Sequence, residues 1–254
     1  MEEFFVALFL SIIAGLSTSI GSVITLFFKN PSKKFFSLIM GFSAGVMILI
    51  SFVELLQKGI DSSNFLLGHI FFFGGMAIMF LIDVTISHQY EFEEPSLGIN
   101  TKNSGSRSKK TSLLVTIGIF IHNFPEGMAT FISALQSIEL GLLLTFAIAL
   151  HNIPEGIAVA VPVYTTTKSR TKAFTWSFLS GVSEPIGAII VGLILYPFIN
   201  NFILGAMLAI VGGFMIYISL DELLPASQAL NSQHLPILGI FIGMVVMAVS
   251  ISLL

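Results

Sequence analysis

The stretch "GVMILISFVELL" at residues 45–56 returns as "GFMIYISLDELL" at 213–224, with eight of twelve positions identical. A second pair, "GLSTSIGSVI" (15–24) and "GVSEPIGAII" (181–190), agrees at five of ten positions and lies at nearly the same separation. The shared serine, glutamate and double leucine are not what apolar segments share by chance. A unit near the N-terminus is therefore repeated near the C-terminus, and its meaning depends on what lies between.

Composition sets that context. Of 254 residues, 55% are hydrophobic and only 10% charged, and the mean hydropathy is +0.96. Too little charge is present to cover a soluble domain of this size. The class is an all-α polytopic membrane protein, with the lipid bilayer as its first partner. A bilayer-crossing helix needs roughly 20 mostly apolar residues. Eight such runs are present, at about 4–28, 34–57, 66–87, 112–136, 139–164, 172–197, 202–224 and 235–254. The polar stretch 88–111 reads as a flexible loop within a single transmembrane domain over 1–254. The start "MEEFFVALFLSII" carries acids where a secretory signal carries basic residues, so it reads as a retained first helix. No cysteine is present, which removes disulfides, thiolate ligands and cysteine nucleophiles. A formal net charge of −3 implies no nucleic-acid partner.

Eight spans place the equivalent positions five helices apart. Five is odd, so the two copies cross the membrane in opposite directions. This is an inverted-topology repeat, with helices 4 and 5 between its halves as a central antiparallel pair, an architecture characteristic of secondary transporters. Ten of the eleven Lys and Arg residues fall in the odd-numbered loops, Lys58 alone lying on the other side. By the positive-inside rule those loops are cytoplasmic and both termini face outward.

Helices 4 and 5 carry a second duplication, "IHNFPEGMAT" (121–130) and "LHNIPEGIAV" (150–159). His122 and Glu126 are spaced i, i+4 and share one helix face with Asn123; His151, Asn152 and Glu155 repeat the pattern. Pro125 and Pro154 free the carbonyls of Ile121 and Leu150 and are expected to kink or loosen each helix. An ionised carboxylate at the bilayer centre costs ~2.5–3.5 kcal/mol on insertion scales. Two mid-span glutamates with no Lys or Arg at their depth cannot neutralise each other, so they bind protons or a cation. Imidazoles and amide oxygens beside them suit a borderline divalent metal. Glu184, in "GVSEPIGA" of helix 6, joins them at that depth.

Further carboxylates flank the centre. Glu54 stands near the outer end of helix 2, and Asp221 and Glu222 near the inner end of helix 7. Asp83 and His88 lie at the cytoplasmic end of helix 3. Together they trace a path from an outer entrance through the centre to an inner exit. The alternative reading, an intramembrane metal-dependent hydrolase, needs one metal with an open coordination position, a placed general base and lipid-side substrate entry. Carboxylates trailing to both faces argue for conduction. A metal sensor would need a soluble output domain, which the chain lacks.

"HNFPEG", "HNIPEGIAVA", "SEPIGA" and "DELLP" resemble the ZIP (Zrt-/Irt-like) family of divalent metal transporters over nearly the whole chain. The resemblance implies eight helices in a 3+2+3 arrangement. It also implies that His122, Asn123, Glu126, Asn152, Glu155 and Glu184 are central metal ligands, with His151 as a ligand or its support. Asp83, His88, Asp221 and Glu222 match a cytoplasmic exit. The chain departs from many relatives in lacking a histidine-rich loop between helices 3 and 4, and from some in carrying Asp221 where they have histidine. The expected activity is import of Zn²⁺, and also Fe²⁺, Mn²⁺, Co²⁺ and Cd²⁺, across a bacterial cytoplasmic membrane, without a prosthetic cofactor. Glycines in helices 1, 2 and 7 could pack within one protomer or between two, which leaves a homodimer as a candidate assembly.

Overall fold

The structure, a computed structural model, describes residues 2–27, 32–86, 123–195, 198, 200–228 and 234–253. The loop at 88–111 and residues 112–122 of the fourth span lie outside the described residues. Eight helical rods are present among them. They are α1 (Glu2–Phe27), α2 (33–61), α3 (Phe65–Ile86), α4 (123–136), α5 (Ile138–Thr167), α6 (170–195), α7 (201–228) and α8 (Leu235–Leu253). Seven are long and apolar enough to cross a membrane; the described part of α4 is shorter than a span.

Short polar residues start the rods. Ser32, Ser137, Ser169 and Asn200 sit in extended conformation just before α2, α5, α6 and α7, and each side chain accepts a backbone N–H of the first turn. Asn64 does the same for Leu67 in α3. The α4–α5 hairpin turns on Ser137 alone. The end of α5 is closed by Lys168 in the left-handed region, at φ 54.

Two π-helical turns mark the duplicated unit. Ser51–Leu55 interrupts α2 and Ser219–Leu223 interrupts α7, at the same place in the two quoted copies. In each, the leading serine donates to the carbonyl four residues back, Ser51 to Met47 and Ser219 to Met215, both at 2.7 Å. These rods run on to 61 and 228, past the ends expected at about 57 and 224. Hydrogen bonding continues through the polar last turns after hydrophobicity has stopped. α6, expected as one span at about 172–197, breaks at Val182, because Pro185 cannot donate to the Gly181 carbonyl. Pro154, expected to kink or loosen its helix, leaves α5 uninterrupted.

Packing extends the repeat to all six outer helices. Extensive interfaces among the described residues join α2 with α8, α1 with α5, and α3 with α7. A Cβ on Gly45 would overlap the Ile240 carbonyl, and one on Gly213 the Phe72 carbonyl; in the register of the repeat these contacts are equivalent. Gly243 on Phe42 and Gly75 on Ile210 form a second matched pair. Where α1 meets α6, Gly15 and Gly181 each abut the other's carbonyl, as a two-fold axis between the halves requires. The glycines that could have served a dimer are thus filled within one chain.

Direction follows from contact order. Ala14 meets Asn152 and Thr18 meets Gly156, so α1 and α5 run parallel. The chain reverses between α5 and α6, which sets α6 antiparallel to α1. The repeat is inverted. Burial grades with position: 72% of the apolar windows of α5 and α7 is buried, against 22% for α3 and α8. The last two occupy equivalent, peripheral places, and their outward Phe, Leu and Ile side chains are those a lipid phase accepts.

Candidate metal centre

The central pair is held by backbone contact. Gly127 of α4 abuts the Glu184 carbonyl of α6, and Gly156 of α5 abuts the Thr18 carbonyl of α1, again equivalent positions. Such approach needs glycine. It places one turn of α4, α5 and α6 side by side in the middle of the bundle.

Six of the seven central residues read from sequence are described, and all are buried: Asn123, Glu126, Asn152 and Glu184 fully, His151 and Glu155 at 2% and 4% exposure. Glu126, His151 and Glu155 bring one ligand atom each to within 4.8 Å of one another. His151 Nε2 stands 3.2 Å from Glu126 Oε1, in an orientation that makes no hydrogen bond. Asn123 neighbours the Glu155 carboxylate. Asn152 Nδ2 donates to the Ala14 carbonyl at 2.9 Å and to Glu184 Oε1 at 2.5 Å, which ties Glu184 to the group. His122 lies outside the described residues.

The electrostatics are one-sided. Three carboxylates converge in a water-poor interior. Among the described residues no Lys or Arg pairs with them. Both oxygens of Glu126, Oε2 of Glu155, Oε2 of Glu184 and Oδ1 of Asn152 find no hydrogen-bond donor there. Buried acceptors of this kind are costly unless a positive partner completes them. Oxygens with one imidazole nitrogen form the hard-to-borderline donor set that suits divalent first-row metals.

The flanking carboxylates group differently. Tyr217 Oη donates to Asp83 Oδ2 at 3.3 Å and lies beside Asp221, so its phenol joins α3 to α7. Glu222 lies within electrostatic range of Glu155, closer to the centre than its place near a helix end suggested. Glu54 instead neighbours Lys58 and Asp61. His88 lies outside the described residues.

Sequence reasoning missed three contributors. The Ala14 carbonyl is invisible to residue type. Tyr217 was not singled out, although its position four residues before Asp221 was a signal. Ser43 of α2, fully buried, contacts His151 Nδ1 with its hydroxyl. Its signal was asymmetry: in the register of the repeat the other copy has Val211.

An inverted-repeat bundle with acidic and imidazole side chains buried at its centre defines a multi-pass membrane protein of the ion-transporter class. The family model described as ZIP Zinc transporter matches residues 85–251, about two thirds of the chain. Proteins named zinc transporter ZupT are similar along the full length. That of Chlorobium luteolum is 47% identical with 100% of each chain covered. That of Streptococcus mutans is 46% identical over 99% of this chain and 98% of its own. That of Campylobacter jejuni is 43% identical over 100% and 98%. The chain belongs to the ZIP zinc transporter family.

Proposed function

We propose that this protein imports divalent transition-metal ions, zinc foremost, into the cytoplasm of a bacterium as one transport domain over 1–254. The observation that carries the reading is the convergence of Glu126, His151 and Glu155 in a buried site where both oxygens of Glu126 and Oε2 of Glu155 lack donors. The ion exchanges water for these ligands at the midplane, with Asn123, Asn152, Glu184 and His122 completing the set. It leaves past Glu222 and the Asp83–Tyr217–Asp221 group, with His88 on the same side, after entering near Glu54. The lysine and arginine distribution supports a cytoplasmic-membrane setting with both termini outside. Fe²⁺, Mn²⁺, Co²⁺ and Cd²⁺ share the route because the donor set is mixed rather than thiolate-rich.

Radiolabelled zinc uptake into proteoliposomes tests this. Wild-type protein should accumulate zinc, and the Glu126→Ala variant at equal abundance should match empty vesicles. Equal uptake by both would overturn the central-site reading.

A further inference from the structure

We propose that Ser43 is the positioning residue for His151, fixing both the plane and the tautomer of its imidazole so that Nε2 is presented to the metal. The inference rests on the central-site reading above and adds a residue that neither the motif nor the repeat supplies.

Most buried serines of this bundle bond back into their own helix. Ser51 donates to Met47, Ser133 to Ala129 and Ser219 to Met215. Ser43 instead reaches from α2 to α5, where its hydroxyl touches both His151 Nδ1 and the His151 carbonyl oxygen, the latter at 3.3 Å. A serine hydroxyl has one proton and two lone pairs, and a neutral imidazole has one N–H. With the hydroxyl proton on the carbonyl, Oγ accepts from Nδ1–H, and Nε2 keeps a bare lone pair. That lone pair stands beside Glu126 Oε1 at 3.2 Å without a hydrogen bond between them. Two acceptors sharing one space are what a cation between them requires. Outer partners that hold the far nitrogen of a ligating histidine commonly set metal affinity by 10–100-fold.

The repeat makes the arrangement one-sided. Val211 occupies the equivalent of position 43 and has no hydroxyl to offer, so the second copy of the repeat does not supply support of this kind. α2 also carries the π-helical turn, so Ser43 joins a scaffold helix directly to a ligand of the central pair.

Zinc transport kinetics of Ser43→Ala and Ser43→Thr test the assignment, with Glu126→Ala as control and cobalt spectra as a second readout. Ser43→Ala should raise KM for zinc about 10-fold while leaving the maximal rate near wild type. Ser43→Thr, which keeps the hydroxyl, should restore KM. Visible bands of detergent-purified, cobalt-loaded protein should shift in Ser43→Ala and return in Ser43→Thr. In a His151→Ala background, Ser43→Ala should add nothing. A wild-type KM and unshifted bands in Ser43→Ala, or an additive loss in the double variant, would overturn the assignment of Ser43. The central-site reading fails separately, if Glu126→Ala transports normally.

Discussion

His151 Nε2 and Glu126 Oε1 face each other across 3.2 Å from adjacent helices without sharing a hydrogen bond. A pair evolved for structural cohesion would be aligned, since an unmade buried bond costs about 1–3 kcal/mol. Here both atoms are aimed at common space. Glu126→Ala and Glu155→Ala should each lower uptake by more than about 100-fold, beyond the range seen when only supporting residues are lost. Protein abundance should hold or rise, because each change removes an uncompensated buried carboxylate. Uptake normalised to immunoblot signal measures both.

The donor set makes a selectivity prediction. Mg²⁺ dehydrates reluctantly and demands octahedral oxygen ligation, and Ca²⁺ takes six to eight oxygens. Among the described residues Glu126, His151 and Glu155 bring one ligand atom each within 4.8 Å of one another, and the imidazole nitrogen among them is not a donor that these oxygen-seeking ions favour. Mn²⁺, Co²⁺ and Cd²⁺ should compete with radiolabelled zinc at comparable concentrations, while a large excess of Mg²⁺ or Ca²⁺ should not. His151→Asp should move preference from Zn²⁺ towards Mn²⁺, since an oxygen replaces the nitrogen donor. Calcium displacing zinc as well as manganese does would refute the mixed site.

Gly74 and Gly75 are neighbours with opposite surroundings. A Cβ on Gly75 would overlap the Ile210 carbonyl, whereas one on Gly74 meets nothing within 4 Å. Gly75→Ala should cost about 1–3 kcal/mol through forced separation of α3 and α7. Gly74→Ala should be neutral or gain up to about 1 kcal/mol in helix propensity. The thermal unfolding midpoint in detergent should therefore fall for Gly75→Ala and hold or rise for Gly74→Ala.

Lys168 ends α5 at φ 54, a conformation that disfavours side chains with a Cβ. Its backbone N–H still satisfies the Tyr164 carbonyl. Lys168→Gly keeps that cap and relieves the strain, so stability should rise by about 0.5–1 kcal/mol. Uptake should be unchanged, which a vesicle assay reads beside the melting curve.

Orientation can be read without background labelling because the chain has no cysteine. Asp61 and Thr171 are exposed at helix ends assigned to opposite sides by the charge distribution. In intact cells, cysteine at Asp61 should react with an impermeant thiol reagent and cysteine at Thr171 should be shielded. The reverse pattern would place the termini inside.

Much of this protein was determined by its sequence alone. Apolar runs set the membrane class, and the duplicated "SFVELL" and "SLDELL" segments set the inverted repeat, because like sequences fold alike and an odd helix count inverts them. The motif spacing placed His151, Asn152 and Glu155 on one helix face through the 3.6-residue period. Tertiary structure decided what periodicity does not encode. The π-helical turns depend on backbone hydrogen bonds that shift by one residue, and the extension of the repeat to α3 and α8 rests on glycine–carbonyl contacts with little shared side-chain identity. Ser43 reaches His151, and Tyr217 joins Asp83 to Asp221, only because separate helices pack at a particular rotation. Rotation is fixed by the close approach at Gly127, Gly156, Gly15 and Gly181, a property of pairs of surfaces that no single segment carries.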